Sequence, residues 1–298
     1  MKRVSFLLGA IALGAVACGP KDAPAEPAEQ AETSAPAESE AKVSMIDAAL
    51  ISSLRSDEEK ARDQWRHPKE TLAFFEVEPN STVAEIWPGG GWYSNILAPY
   101  LAAEGQLIMV GLDPSAVEDP DTRARYEGYV AKTVETYSDP KFGNVKHTAF
   151  SHASGPIAEP ESVDVVVSFR NVHNWMANGY ADKLFVDAAA ALKPGGILGI
   201  VEHRLPSTQT QDPTGASGYV HEDYVKGLAD AAGLEFVAAS EINANPADTA
   251  DHPFGVWTLQ PNSRTKGRDG TVVEGFDAEA ALAIGESDRM TLKFRKPE

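Results

Sequence analysis

The chain has 298 residues and a formal net charge of −18, and hydrophobic residues make up 43% of it. This is the composition of a globular protein, so a wholly disordered chain and a membrane protein with several spans are excluded. Since Asp and Glu outnumber Lys and Arg by 44 to 26, most of the surface repels nucleic acid, and we expect no nucleic-acid partner. The single cysteine, Cys18, excludes an internal disulfide.

The N-terminal segment has the pattern of a secretion signal. Lys2 and Arg3 precede an uncharged run over 4–17, which is shorter than the roughly 20 residues of a membrane-spanning helix. Small residues lead directly to Cys18, and this ending resembles the lipobox of bacterial lipoproteins; the alternative is an ordinary cleavage site. The resemblance implies lipidation of Cys18, membrane contact only through this anchor, and a folded part that faces the periplasm. It favours the outer membrane, because Gly19 is not the Asp that marks retention at the inner membrane.

The chain then changes composition twice. Residues 19–45 are rich in Ala, Pro and Glu with few large apolar side chains, so burial cannot offset their chain entropy. We expect them to form a disordered tether. From residue 46 onward apolar periodicity begins. The expected domains are therefore a lipoprotein signal peptide over 1–18, a tether over 19–45 and one folded domain over 46–298.

In the folded part, predicted helices and strands alternate. Two helices are predicted to begin at Ser56 and Pro68, and three more are predicted over 93–101, 185–192 and 222–232. The helix over 185–192 is expected to end at a turn over 193–196. Apolar runs predict strands over 82–87, 106–112, 144–150, 163–169, 197–201, 234–238 and 290–294. Strands that are apolar on both faces and alternate with helices predict an α/β fold with a doubly wound, mostly parallel, seven-stranded sheet.

A glycine-rich turn joins the first predicted strand to the following helix. Gly89, Gly90 and Gly91 would let a ligand approach backbone amides at a helix N-terminus, and Asp113, at the end of the next strand, could accept both hydroxyls of a ribose. This predicts a cofactor that contains a nucleoside. Ser94 stands at the last position of a G-x-G-x-x-G fingerprint, so an NAD-dependent oxidoreductase is a weaker alternative.

The sequence around this turn resembles motif I of the class I S-adenosylmethionine-dependent methyltransferases. Glu85 lies inside the strand of VAEIWPGGG (83–91), while Asp113 and the Lys-Pro-Gly-Gly turn over 193–196 match two further landmarks of that family in order and spacing. The resemblance extends from about 62 to 294, and EIWPGGGW and SDRMTLKF are similar to a subgroup of secreted, methyltransferase-like proteins of unknown substrate. It implies a Rossmann-like methyltransferase fold and S-adenosylmethionine as the cofactor.

The same resemblance implies the cofactor contacts. Glu85 would contact the methionine ammonium, and Asp113 would bind the ribose. The three glycines, Gly89 to Gly91, would form the loop that runs alongside the cofactor. The chain departs from the family at two places. Trp87 stands where motif I has its first glycine, and after the third strand Phe150 and Ser151 replace the acid that often binds adenine. Stacking of adenine on Phe150 with a hydroxyl contact from Ser151 is the expectation there.

Four histidines fall at the ends of predicted elements. His152, His173 and His203 follow or end strands, and His221 begins a helix at the same rim, so they could surround one cleft and provide a base or a metal site. We expect no metal. His173, directly after the fourth strand, is the candidate general base.

Other charged residues near these positions have simpler explanations. Glu202 and Arg204 flank His203 and could form a salt-bridged lip, and Arg62 and Arg66 are expected on a solvated helix face, with a position over the cofactor pocket as the alternative. Long segments over 205–219 and 242–288 are expected to shape a substrate site.

The function predicted from these observations is methyl transfer from S-adenosylmethionine to an unidentified acceptor, either a small molecule or a component of the cell envelope. The alternative is a catalytically inactive, lipid-anchored binding protein that retains the nucleoside pocket, since a lipoprotein lies outside the cytoplasm, where the cofactor is made. The sequence leaves the acceptor and the oligomeric state open.

Overall fold

The computed structural model describes residues 45–298. The predicted signal peptide with its lipidation site at Cys18, and the predicted tether up to residue 44, lie outside the described residues. Residues 45–51 form helix α1, so the last residue of the predicted tether is already helical. Within the described range, no helix combines the length and the apolar character needed to cross a membrane.

Seven strands form a single sheet in the order β3-β2-β1-β4-β5-β7-β6. Strands β1 to β5 are parallel to one another, and β7 runs antiparallel between β5 and β6. The predicted α/β, doubly wound and mostly parallel seven-stranded sheet is confirmed, including its late reversed strand. The strands are β1 (Thr82–Ile86), β2 (Gln106–Leu112), β3 (Val145–Phe150), β4 (Val163–Phe169), β5 (Leu192–His203), β6 (Glu235–Ser240) and β7 (Arg289–Arg295).

Nine further helices connect and cover the strands of the described chain. Ser56 caps the first of them, because its Oγ accepts a hydrogen bond from Glu59 N while the Glu59 carboxylate accepts one from Ser56 N. The single helix predicted from Ser56 is in fact two short helices. The helices are α2 (Asp57–Lys60), α3 (Asp63–Arg66), α4 (Pro68–Phe74), α5 (Ser94–Leu101), α6 (Pro120–Tyr137), α7 (Val172–Ala177), α8 (Ala181–Ala191), α9 (Glu222–Ala231) and α10 (Ala278–Ile284).

Helices pack on both faces of the sheet, which explains why its strands are apolar on both sides. On one face Trp175 of α7 and Phe185 of α8 are completely buried. On the other face Leu72 of α4 and Ile96 of α5 fill the core. The layers leave the carboxyl ends of β1, β4 and β5 as the edge where connecting loops converge, which is where ligands bind in open α/β sheets.

The start of β5 differs from the prediction. Segment 193–196 is not a turn before the strand but part of it, since β5 begins at Leu192. Val163 pairs with Leu192 whereas Val165 pairs with Ile197, so the extra residues form a bulge. The fifth strand is therefore correctly placed and longer than predicted. The glycines that look like a turn in sequence serve to bulge a paired strand.

Candidate functional site

The connection after β1 is held in place by its backbone. Trp87 adopts a left-handed backbone with φ of 48°, the conformation that glycine adopts most easily. Its amide donates to Val110 O at 2.8 Å, its ring Nε1 donates to Phe150 O at 3.0 Å, and its ring lies 5.6 Å from that of Trp175. Asn171 Nδ2 donates to the Trp87 carbonyl at 3.2 Å. These contacts hold a bulky residue where motif I has a glycine.

The three glycines have different surroundings. Gly89 and Gly90 line a cleft at the carboxyl edge of the sheet, and Gly89 also lines an apolar cavity of about 170 Å³ beneath α6. Gly91 has φ of +83°, and a Cβ there would lie 2.1 Å from the Tyr137 hydroxyl, so only glycine fits beneath α6. The Tyr129 hydroxyl of α6 donates to the Gly89 carbonyl. Helix α6 therefore fixes the loop whose free side faces the cleft.

Glu85 is buried in β1, with 2% of its surface exposed. Its Oε2 accepts a hydrogen bond from Ser94 Oγ, 2.6 Å away at the first residue of α5. Burial raises the pKa of Glu85 to about 7, and the Ser94 bond only partly opposes this. Glu85 thus links β1 by a hydrogen bond to α5, the helix that follows the glycines.

Asp113 and Ser151 lie together at the ends of β2 and β3. Ser151 Oγ donates to Asp113 Oδ2 at 2.9 Å, and Ser115 N and Oγ donate to Oδ1 at 3.0 and 2.6 Å. Partial burial acts to raise the pKa of Asp113, but the bonds from Ser115 and Ser151 outweigh it, so the pKa is lowered and the carboxylate stays charged. Phe150 is completely buried and offers no exposed ring face for stacking in this structure.

A cleft of about 440 Å³ opens at the carboxyl edge of the sheet. The loop from Trp87 to Gly90 lines it, together with the segment from the end of β4 into α7, which carries His173. The predicted long segment 242–288 contributes Trp257 to the rim. The cleft thus brings together the glycine-rich loop and the residue that sequence analysis selected as a base.

At the base of this cleft, His173 pairs with a glutamate from the neighbouring strand. His173 Nδ1 lies 3.1 Å from Glu202 Oε1, and both side chains are buried. Glu202 also accepts hydrogen bonds from the backbone amides of Val172 at 2.5 Å and His203 at 2.8 Å. This network fixes the imidazole through Nδ1, which leaves Nε2 as the nitrogen able to accept a proton.

His203 completes a cluster with these two residues. Its ring centroid is 5.5 Å from that of His173, and its pKa is lowered by burial and then by His173, so it is neutral. His173, Glu202 and His203 offer ligand atoms within 4.8 Å of one another and could hold a divalent metal, which sequence analysis did not expect. Because backbone amides already occupy the Glu202 oxygens, we favour a hydrogen-bonded pair.

The structure does not bring three or four of the rim histidines to one cleft, as the sequence suggested it could: only His173 and His203 line it. His203 and His173 meet, whereas His152 lies beside Tyr180, with ring centroids 6.0 Å apart, and His221 lines a separate pocket. Three strands separate β3 from β5 in the sheet, so position at a strand end does not ensure contact. From the sequence, Glu202 was expected only in a salt-bridged lip beside His203. Its contact with His173 was not predicted.

Two predictions about charged residues have opposite outcomes. Arg204 does form a salt-bridged lip, with Asp288 at 2.8 Å and Glu241 at 2.8 Å. Arg66 is not on a solvated face: it is 1% exposed, lines the cleft and pairs with Glu286 at 3.0 Å. Its partner lies 220 positions away in the chain, so no local pattern could reveal the pair.

Part of the chain is similar in sequence to a known methyltransferase. No protein-family model matches the chain. Over 175 residues it is 28% identical to the arsenite methyltransferase of Halobacterium salinarum, and the match covers 55% of this chain and 40% of that protein. The chain thus spans about two fifths of the length of the curated relative that it matches.

Similar solved structures include two methyltransferases. One is an S-adenosylmethionine-dependent methyltransferase from Aquifex aeolicus, with 16% identity, a TM-score of 0.47, and coverage of 61% of this chain and 87% of the other. The second is an arsenic(III) S-adenosylmethionine methyltransferase from Chlamydomonas reinhardtii, with 15% identity, a TM-score of 0.45, and coverage of 85% and 73%. At such identities neither structure carries an activity over to this chain.

Proposed function

We propose that this protein is an S-adenosylmethionine-dependent methyltransferase. The observation that carries the proposal is that one cleft is lined both by the glycine-rich loop, with Gly89 and Gly90 exposed, and by His173, which is paired with Glu202. The match to a curated methyltransferase supports it independently. The fold alone would not, because α/β sheets of this kind host many activities.

The residues present suit this cofactor. Gly89 and Gly90 leave space beside the backbone, since a Cβ at either position would meet no atom within 4 Å. Asp113 is charged and half-exposed at the end of β2, where it could accept the ribose hydroxyls. Glu85 is buried and does not line this cleft, and its contact with the methionine ammonium, direct or through a water molecule, is part of the proposal. When bound, the cofactor supplies an electrophilic methyl group on a sulfonium.

The protein's own contribution would be to hold the acceptor and take its proton. For a hydroxyl acceptor, His173 Nε2 would accept the proton while Glu202 stabilises the resulting imidazolium. Cys18 is the only cysteine and belongs to the segment with the lipobox pattern, so no covalent intermediate on a thiol is expected. The enzyme would act mainly by positioning.

The name of the curated relative raises arsenite as an acceptor. Arsenic(III) is a soft centre that prefers thiolate ligands. Residues 45–298 contain no cysteine, so the folded part cannot supply such ligands. We therefore favour an oxygen or nitrogen acceptor, from a small molecule or the cell envelope.

Methyl transfer from labelled S-adenosylmethionine to extracted envelope fractions and metabolite pools tests the proposal. Label should appear in an acceptor with the wild-type protein and drop sharply with His173→Ala. Binding of the cofactor without any labelled product would favour the catalytically inactive binding protein instead. A chelator added to a parallel reaction tests whether His173, Glu202 and His203 act through a metal.

We propose further that the mature chain begins at a lipidated Cys18 and faces the periplasm, held at the outer membrane. The small residues before Cys18 support this, and an acidic tether over 19–45 offers no basic second signal, so retention would depend on several acyl chains. Replacement of Cys18 by Ser should abolish lipid labelling and membrane retention. A Cys18→Ser protein that labels and fractionates like the parent would contradict the assignment.

A further inference from the structure

Three arginines share one carboxylate behind the cleft. Glu286, which is 2% exposed, accepts hydrogen bonds from Arg62 Nε at 2.6 Å, Arg66 Nε at 3.0 Å and Arg289 Nη1 at 2.9 Å. A single carboxylate neutralises one of these charges. The group therefore keeps an excess of positive charge inside a protein whose net charge is strongly negative.

Several donors of this group have no partner. Both terminal nitrogens of Arg66, Nη2 of Arg62 and Nε of Arg289 are buried and make no hydrogen bond with the described residues. Leaving a buried donor unpaired is costly, so such groups normally have a partner. Arg66 is also held in place, because its guanidinium lies 4.6 Å from the centre of the Trp92 ring, which lines the cleft beside it.

A fourth arginine, Arg170, lies close enough to Arg62 and Glu286 for their charges to act on it. Arg170 follows β4, has a left-handed φ of 63°, and lines the same cleft as Arg62 and Arg66. Its side chain makes no hydrogen bond or ion pair within residues 45–298. Burial lowers its pKa to about 10, opposed by Glu286, so it remains charged at neutral pH. Glu59, the acid that lines the cleft, already accepts hydrogen bonds from Ser56 and Asn95.

We propose that the cleft binds an anionic acceptor, with a carboxylate or phosphate group held by Arg62, Arg66 and Arg170. Arginine forks match the geometry of these oxyanions and are the usual residues for binding them. The claim that the anion belongs to a methyl acceptor rests on the proposed function. The claim that the cleft binds an anion depends only on the arginines.

The position of Arg170 favours the acceptor over the cofactor as the source of the anion. Arg170 follows β4 and His173 is the second residue of α7, so two residues separate them, and both line the cleft. An anion bound at Arg170 would therefore lie on the wall that carries the candidate base. The methionine carboxylate of S-adenosylmethionine is the other source of the same chemistry, and the experiment separates the two.

The test measures binding of inorganic phosphate, by calorimetry, to the full chain and to two charge-matched variants. Arg170→Gln removes a guanidinium that has no partner, so the fold loses no hydrogen bond. Arg125→Gln makes the same change on the exposed face of α6 and serves as the control. Phosphate should bind wild type and Arg125→Gln equally and bind Arg170→Gln at least tenfold more weakly. Equal binding by all three proteins would overturn the anion site.

A second arm identifies the source of the anion. S-adenosylhomocysteine carries the methionine carboxylate, and 5′-methylthioadenosine lacks it. Arg170→Gln should leave the affinity for both compounds within about twofold of wild type. A tenfold loss for S-adenosylhomocysteine alone would assign the arginines to the cofactor and overturn the acceptor assignment. Failure of wild type to bind either nucleoside would contradict the proposed function and leave the phosphate result standing.

Discussion

Glu202 Oε1 lies 3.1 Å from His173 Nδ1, although the two residues are 29 positions apart in the chain. They meet because β4 and β5 are parallel neighbours, so the end of β5 lies beside the start of α7. The carboxylate also binds the amide of Val172, the first residue of α7. One buried glutamate therefore fixes both the helix and the imidazole ring that it presents to the cleft.

Replacement of either residue should impair turnover in a distinct way. His173→Ala removes the proton acceptor, so kcat with a hydroxyl acceptor should fall by about 10²- to 10⁴-fold, with affinity for S-adenosylmethionine unchanged. Glu202→Gln keeps the shape but loses the charge that stabilises the imidazolium. It should lower kcat and alter its dependence on pH, measured as initial rates across neutral pH. Unchanged turnover in His173→Ala would remove the base role and leave the fold untouched.

Glu85 should make stability depend on pH. Its pKa is raised to about 7 by burial from an ordinary value of 4.5, so the folded state favours the protonated form. This contribution is complete below pH 4.5 and is lost as pH rises through about 7, amounting to roughly 3 kcal/mol since each tenfold change in proton affinity is worth about 1.4 kcal/mol. Urea unfolding of wild type and Glu85→Gln between pH 4 and 8 measures it.

The difference between the two proteins isolates Glu85, because other carboxylates contribute equally to both. The free energy of unfolding of wild type should fall relative to Glu85→Gln as pH rises, and the two curves should run parallel above about pH 7.5. Curves that stay parallel over the whole range would mean that Glu85 ionises at its ordinary pKa in the folded protein.

Two neighbouring glycines should respond differently to alanine. Gly91→Ala places a Cβ against the Tyr137 hydroxyl on a left-handed backbone and should cost about 2–4 kcal/mol of stability. Gly90→Ala meets nothing within 4 Å and should change stability by less than about 0.5 kcal/mol. Thermal unfolding measures both. Equal destabilisation would show that the loop is fixed by something other than contact with α6.

Much of the fold could be predicted because its signals are local. The apolar runs that form β1, β2, β4 and β5 identify buried parallel strands, and the glycines between β1 and α5 mark a turn at the ligand edge. The prediction of a turn over 193–196 was wrong because Pro and Gly residues have the same local pattern in a turn as in a bulge. Distinguishing them requires the register with β4.

The candidate site was only partly predictable. Asp113, the glycines and His173 follow strands directly, so their placement at the sheet edge comes from the order of elements. Glu202 and Glu286 act through partners that are distant in the chain, and the buried Arg66 pairs with Glu286, 220 positions away. Charge pattern alone made Arg66 resemble a solvated residue. Such pairs depend on tertiary contacts that no sequence period encodes.

Asp113 should be the main determinant of ribose binding. Loss of a hydrogen bond to a charged carboxylate costs about 1.5–3 kcal/mol, so Asp113→Ala should weaken cofactor binding by about 10- to 100-fold. Ser151→Ala removes one of the three hydrogen bonds that hold the carboxylate and should have a smaller effect. Equal affinity of Asp113→Ala and wild type would place the nucleoside elsewhere.

Calorimetric titration of the purified protein with S-adenosylmethionine and S-adenosylhomocysteine is the most direct test of the account. It should give saturable binding of both ligands at one site per chain, weakened in Asp113→Ala. Absence of binding for both ligands up to millimolar concentration would contradict the proposed cofactor, and the methyltransferase resemblance would then be one of fold alone.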